Sequence, residues 1–92
     1  MKKNLKQWAT IFKGFGNPYR LQILKLLKRH GKMSVTKVSE ELGISFKNTS
    51  RNLSILANLD LVESEGRTDR VYYSINSELD RDLKSILNIL LQ

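Results

Sequence analysis

The stretch SVTKVSEELGISFKNTSRNLSILAN, residues 34–58, decides the fold. Ser34 and Ser45 are each placed to cap a helix, because a serine hydroxyl accepts hydrogen bonds from the free amides of a first helical turn. Gly43 stands between them, where the earlier helix needs a left-handed C-cap. The later helix runs from its cap to about Asn58. Two helices joined by so short a glycine-containing turn predict a helix-turn-helix unit.

Apolar side chains recur in both helices at the spacing of one helix face. Only the tetrapeptide 43–46 separates the two helices, so both apolar faces have to meet the same core. The positions predicted to face that core are Val35, Val38, Leu42, Thr49, Leu53 and Leu56.

Two helices are predicted before this unit. The first covers about residues 4–15, and Gly14 and Gly16 end it. Asn17 and Pro18 then supply an N-cap and a first-turn proline for a second helix, which is broadly apolar and ends near Gly31. The apolar face of the first helix consists of Leu5, Trp8, Ala9 and Phe12.

A β-hairpin and a last helix are predicted after the unit. The segments 61–65 and 70–75 are rich in β-branched and aromatic residues, and the polar residues 66–69 lie between them. Asn76 or Ser77 then caps a helix with apolar residues at helical spacing. The predicted fold class is mainly α with a small β-hairpin, in the order ααααββα.

Length and composition exclude several protein classes. A chain of 92 residues forms one domain, which excludes a multidomain enzyme. No apolar run approaches the roughly 18 residues that cross a bilayer, and the basic start lacks a secretory apolar core. The absence of cysteine excludes disulfides, thiolate nucleophiles and cysteine zinc sites, and fits a cytoplasmic location.

Positive charge is concentrated in the first two thirds of the chain. Residues 1–58 carry twelve bases and two acids, whereas residues 59–92 carry four bases and seven acids. This asymmetry indicates a polyanionic partner for the first part of the chain, although a generic solubilising surface explains charge of this kind as well.

The polar side of the fourth helix has the composition of a surface that reads DNA. At about 100° per residue it is centred on Lys47, Arg51, Ser54 and Asn58, with only Ile55 intruding. Arginine, lysine and asparagine can recognise base edges in the major groove, and serine can reach phosphates. An ordinary solvated face usually mixes glutamate with lysine, but residues 43–59 contain no acid.

The hairpin tip offers a second basic site. Arg67 and Arg70 bracket the tip, where long cations can follow a phosphate backbone. The opposing interpretation is that hairpin turns are polar in any case and that Glu63, Glu65 and Asp69 offset the positive charge.

Several motifs in their order along the chain resemble the ArsR-type winged-helix transcriptional repressors. The fourth helix carries a Ser-Arg-x-Leu-x-x-Leu segment, and Leu59-Asp60-Leu61-Val62 is similar to the family's Gly-Leu-Val. The resemblance implies a winged helix-turn-helix homodimer that places its fourth helices in successive major grooves and often leaves DNA when an inducer binds. The segments are NPYRLQIL at 17–24, SV at 34–35, GIS at 43–45, SRNLSIL at 50–56, LV at 61–62, GR at 66–67 and VYY at 71–73.

Three departures from the family pattern concern ligands. The segment 34–36 is Ser-Val-Thr where metal-sensing relatives have Cys-Val-Cys, so soft-metal ligation by thiolates is impossible. Asp80 and Asp82 have no histidine near them in sequence and make a poor zinc site. Asn52 stands where the family usually has histidine. We therefore predict no metal site and no cofactor.

Apolar residues at both ends of the chain predict self-association, although an ordinary core can also absorb such residues. Five helices in so short a chain carry more apolar surface than one core buries, and Ile89 lies about 200° around the helix from Leu87. The predicted dimer interface is Leu5, Trp8, Phe12, Leu83, Leu87 and Leu90.

The sequence predicts a regulator and not an enzyme. His30 is the only histidine, lies at a helix end, and has no partner for general-base chemistry.

We predict that residues 1–92 form one winged-helix DNA-binding domain, a homodimeric sequence-specific repressor that binds double-stranded DNA and no membrane. The alternatives are a winged-helix protein-interaction module and a non-specific DNA-coating protein, and the sequence selects no inducer. The predicted DNA-binding residues are Lys47, Asn48, Ser50, Arg51, Asn52, Ser54, Arg67, Thr68 and Arg70.

Overall fold

Helices pack beside a small sheet in the computed structural model, which describes residues 2–92. The predicted mainly helical order with a hairpin is confirmed, and a two-residue strand before the third helix is added to it. No helix in this part of the chain has the length and apolar character needed to cross a membrane. The elements are α1 Leu5–Phe15, α2 Pro18–His30, β1 Met33–Ser34, α3 Val35–Leu42, α4 Phe46–Asn58, β2 Val62–Gly66, β3 Val71–Ile75 and α5 Arg81–Leu90.

Polar side chains cap the helices. The predicted caps Asn17, Ser34 and Ser45 each accept a hydrogen bond from a backbone N–H of the first turn of α2, α3 and α4, respectively. The predicted start of the last helix is wrong, because α5 begins after Asp80, whose carboxylate accepts a hydrogen bond from the Leu83 N–H at 2.9 Å. Asn76 instead closes a preceding turn.

The sheet joins the hairpin to the helix-turn-helix unit. Its strand order is β1-β3-β2 and both pairings are antiparallel. Ser34 pairs with Tyr72 of β3 and also caps α3, so the same residue belongs to both parts of the fold. Two residues are too short for a period-2 pattern, which is why the sequence did not predict β1.

The core is built mainly from α2, α3 and α4. Its fully buried side chains include Ile23, Leu24, Val38, Leu53 and Leu56. This packing positions the outer face of α4 and the hairpin on one rigid support.

Helix α5 adds two leucines to that same core. Leu83 and Leu87 are buried within the single chain, with Leu87 only 4% exposed. Their predicted place in a dimer interface is therefore wrong, because their side chains already pack against their own subunit. Leu90 points to a different side and is 48% exposed.

The turn between α4 and β2 contains the one non-glycine residue of the described chain with a positive φ. Asp60 has φ 58°, in the left-handed region that aspartate tolerates better than most residues. Asn76 Nδ2 donates to its carbonyl oxygen at 2.9 Å.

Candidate nucleic-acid interface

The turn between α3 and α4 sets the direction of the second helix. Gly43 adopts φ 68°, and its N–H donates to the Ser39 carbonyl at 2.9 Å. Ser45, two residues after the glycine, then caps α4: its Oγ accepts from the Asn48 N–H at 3.0 Å. The predicted caps thus produce the predicted helix-turn-helix geometry.

Helix α4 has one buried and one exposed side. Thr49, Leu53 and Leu56 are fully buried, and Thr49 Oγ1 donates to the Ser45 carbonyl at 2.9 Å, so its hydroxyl is satisfied inside the core. Ser50 is half-buried at the edge of the exposed side. The exposed polar side chains of α4 are Lys47, Asn48, Arg51, Ser54 and Asn58.

Asn52 does not lie on that exposed side, contrary to the prediction. It is buried, and its Oδ1 accepts from Arg20 Nη1 at 3.0 Å. Its Nδ2 donates to the carbonyl oxygen of Asn48 at 3.1 Å and to Asn48 Oδ1 at 3.0 Å. Asn52 therefore positions Asn48 and is not itself free to meet DNA.

Arg20 is a residue to which the sequence assigned no role. Its Nε donates to the Gly14 carbonyl at 2.6 Å, in addition to the bond from Nη1 to Asn52. The guanidinium thus joins the end of α1 to the middle of α4. Its place in the NPYRLQIL segment was its only signal in the sequence.

The hairpin tip is closed by the two predicted arginines. The Arg67 N–H donates to the Arg70 carbonyl at 2.7 Å, and Thr68 is exposed between them. The guanidinium of Arg67 lies 5.5 Å from the ring centroid of Tyr72. Arg70 has its nearest acid, Asp69, at 3.8 Å. Both arginines remain exposed and can reach a phosphate backbone.

Glu65 forms a bridge between two cations beside the tip. Its Oε1 accepts from Lys32 Nζ and its Oε2 accepts from Arg67 Nε, both at 2.7 Å. The hydrogen bond from Lys32, followed by that from Arg67, lowers the pKa of the Glu65 carboxyl. The carboxylate is consequently ionised at neutral pH and forms charge-assisted hydrogen bonds with both cations.

A groove separates the first turn of α4 from the hairpin. It has a volume of about 500 Å³ and is lined by Phe46 and Ser50 on one side and by Arg67, Arg70 and Val71 on the other. Phe46 is 58% exposed. The sequence placed Phe46 in the turn, but the structure makes it the first residue of α4.

Asp80, one of the two carboxylates considered as zinc ligands, is engaged within the fold. Asp80 caps α5 and pairs with Lys3, and the hydrogen bond from Lys3 lowers the pKa of its carboxyl. Among residues 2–92, no three His, Cys, Asp or Glu side chains are grouped in a way that could hold a metal ion.

Comparison with known families identifies this arrangement. Residues 17–64 match the family model described as bacterial regulatory protein, arsR family. The match spans more than half of the chain. The chain belongs to the ArsR family. Members of the family are DNA-binding transcriptional regulators, so the predicted resemblance, the winged helix-turn-helix fold and the absence of an enzymatic role are confirmed.

Two relatives of this ArsR-family chain align with most of its length. It is 39% identical over 80 residues to an uncharacterized HTH-type transcriptional regulator of Methanocaldococcus jannaschii, covering 85% of this chain and 89% of the relative. It is 32% identical over 73 residues to the transcriptional repressor SdpR of Bacillus subtilis, covering 79% of this chain and 80% of that protein.

Solved structures share the fold over nearly the whole chain. HlyU from Vibrio cholerae superposes with a TM-score of 0.82 at 28% identity, covering 98% of this chain and 94% of HlyU. A homodimeric winged helix-turn-helix DNA-binding domain from Mycobacterium bovis has a TM-score of 0.80 at 30% identity, covering 98% of this chain and 86% of the other.

Proposed function

We propose that this ArsR-family regulator is a homodimeric repressor that binds a specific DNA sequence through α4. The observation that carries the proposal is the exposed side of α4, which presents Lys47, Asn48, Arg51 and Ser54 and no acid. A major groove admits one helix, and these side-chain types can bind base edges and phosphates. The opposite side of α4 is fully buried in the core, so the helix backbone that carries these exposed side chains is held in place.

The hairpin serves as the wing that holds the neighbouring DNA backbone. Arg67, Thr68 and Arg70 are exposed at its tip, across the groove from the first turn of α4. Their reach and charge suit phosphates, which carry no sequence information. In this proposal α4 provides the sequence preference, and the wing adds affinity that is independent of sequence.

Apolar side chains on the outer helices supply the proposed dimer interface. On α1, Leu5 is 86% exposed, and Phe12 is exposed and stacks on the half-buried Trp8 with ring centroids 5.8 Å apart. On α5, Leu90 is exposed beside Ile89. Exposed apolar groups of this size favour burial against a second copy. The homodimeric Mycobacterium bovis domain supports the same assembly.

The last part of the proposal is that the protein is a repressor whose DNA binding is not controlled by a metal ion. The relative named as the transcriptional repressor SdpR supports the repressor role. The chain has no cysteine and a single histidine, and metal-sensing sites usually depend on such ligands. Any inducer is therefore proposed to be other than a metal ion.

Selection of bound duplexes from a random pool tests the proposed function. A homodimer should enrich a palindrome with half-site centres about 34–36 Å apart, one DNA turn. A non-specific DNA-coating protein should enrich no sequence. A protein-interaction module with a basic surface should bind heparin as well as it binds duplex DNA. Either of the last two results would contradict the proposal.

Replacing Glu65 with glutamine should strengthen DNA binding several-fold for all sequences. The change removes the carboxylate that Lys32 and Arg67 share, so Lys32 can add a phosphate contact and the proposed phosphate contact of Arg67 has no competitor. The affinity should also fall more steeply with salt, by about one unit of slope for each additional phosphate contact. Binding measured at several salt concentrations checks this expectation.

Glu63→Gln is the matched control for charge. Glu63 lies on the same strand and forms no ion pair among residues 2–92. An equal gain in both variants would show that net charge, and not the bridge, limits affinity.

The bridge also makes stability depend on pH. Because the pKa of Glu65 is lowered, the stability that the bridge contributes is present above the unfolded-state pKa of glutamate and is lost as the pH falls through the lowered value.

A further inference from the structure

We propose that Phe46 makes the protein sensitive to the methyl group of one thymine in each half-site. The proposal rests on the proposed function and adds an apolar contact to it. Phe46 is the first residue of α4 and is 58% exposed. The first turn of a recognition helix is the part that contacts base edges in helix-turn-helix proteins.

The exposure of Phe46 is unexpected from its spacing. Phe46 precedes Thr49 by three residues and Leu53 by seven, so it continues the stripe that faces the core. Those two side chains are fully buried, yet the Phe46 ring is not. The first turn of α4 therefore extends past the core into the groove beside the wing.

The surroundings of Phe46 specify what can cover it. The groove also contains Arg67 and Arg70, and Lys47 is exposed at the next position of α4. These cations suit a DNA backbone and oppose a basic or purely apolar partner. Asp69 also lines the groove, 3.8 Å from the Arg70 guanidinium, which partly offsets its negative charge.

The chemistry of the ring then selects the group within the DNA. A phenylalanine side chain has no charge and no hydrogen-bonding group, so it gains nothing from phosphates or from polar base edges. In the major groove the 5-methyl group of thymine is the apolar group, and phenylalanine is one of the side chains that contact it. Covering the ring and the methyl group together removes apolar surface of both from water.

Replacement of thymine by 2′-deoxyuridine tests the contact. This base lacks only the methyl group and keeps every hydrogen-bonding group. Each thymine of a duplex selected from the random pool is replaced in turn, symmetrically in both half-sites. For the wild type, one position should weaken binding by about fourfold per half-site, the factor that corresponds to burial of one methyl group. The combined loss should be about fifteenfold.

Variants of the groove assign that loss to its source. In Phe46→Ala the loss at the sensitive thymine should disappear, and Phe46→Leu, which keeps an apolar side chain, should retain part of it. Val71→Ala removes exposed apolar surface from the wing side of the same groove and should keep the full loss. Thermal unfolding should be nearly unchanged in Phe46→Ala, because the ring lies outside the core.

Three results would overturn the proposal while leaving the proposed function intact. The first is a specific duplex in which no deoxyuridine replacement weakens wild-type binding. The second is an equal loss in wild type and Phe46→Ala, and the third is a loss abolished by Val71→Ala instead. A selection that enriches no sequence would overturn the proposed function and this inference together.

Discussion

Arg51→Ala is expected to cost about 1–3 kcal/mol of binding free energy in each half-site of the selected duplex and to relax sequence preference at one base pair of each half-site. Arg51 is exposed near the centre of the polar side of α4, where a guanidinium can bind a guanine edge with two hydrogen bonds. Two copies act in a homodimer, so the loss should occur in both half-sites. Titrations with matched and singly mismatched duplexes measure both the affinity and the preference.

Two variants separate base recognition from charge. Arg51→Lys keeps the positive charge but loses the planar, two-point geometry, so it should retain the salt dependence and lose the preference. Arg67→Ala should weaken binding to all sequences alike and reduce the salt slope by about 1. If Arg51→Ala behaves as Arg67→Ala does, Arg51 contacts the backbone and the assignment of base recognition to it is wrong.

Leu87→Asp is expected to unfold the domain, whereas Leu90→Asp is expected to leave it folded and to separate the dimer. Leu87 is 4% exposed within one chain, so an aspartate there is buried without a partner. The cost of about 4–5 kcal/mol approaches the whole stability of a small domain. Leu90 is 48% exposed, so aspartate at that position disturbs mainly the surface on which we propose that the partner packs.

Thermal unfolding and sedimentation distinguish the two outcomes. Asn88→Asp is the matched control, because Asn88 is an exposed residue of the same helix and the change adds the same charge. It should remain folded and dimeric. A folded Leu87→Asp variant of normal stability would contradict the burial of Leu87, and a Leu90→Asp variant that stays dimeric would exclude α5 from the interface. A folded monomer should also bind a palindrome more weakly, because it reaches one half-site at a time.

Local signals in the sequence predicted the backbone structure of the helix-turn-helix unit. The caps Ser34 and Ser45, the left-handed Gly43 and the positions of Lys47 and Arg51 were all predicted, because capping and helix periodicity involve residues a few positions apart. Asn52 was misplaced even though, at about 100° per residue, it lies about 60° from Thr49, on the side of α4 that faces the core. Only its hydrogen bond from Arg20, 32 residues earlier in the chain, depends on long-range packing.

The same limit applied to the wing and to α5. The bridge from Lys32 to Glu65 and Arg67 depends on strand pairing across the chain, although the basic tip itself was predicted from its composition. The cap of α5 was predicted three or four residues too early, because Asn76, Ser77 and Asp80 are all good capping residues.

The sequence by itself determined that this protein is a basic, cysteine-free helix-turn-helix chain with a hairpin, and that one side of α4 carries no acid. Only the tertiary structure decided which apolar residues the chain covers for itself. It buries Leu87 and leaves Leu5, Phe46 and Leu90 exposed. Periodicity marks a face as apolar, but the hydrophobic effect is non-directional, so the surface that covers that face is settled by long-range packing.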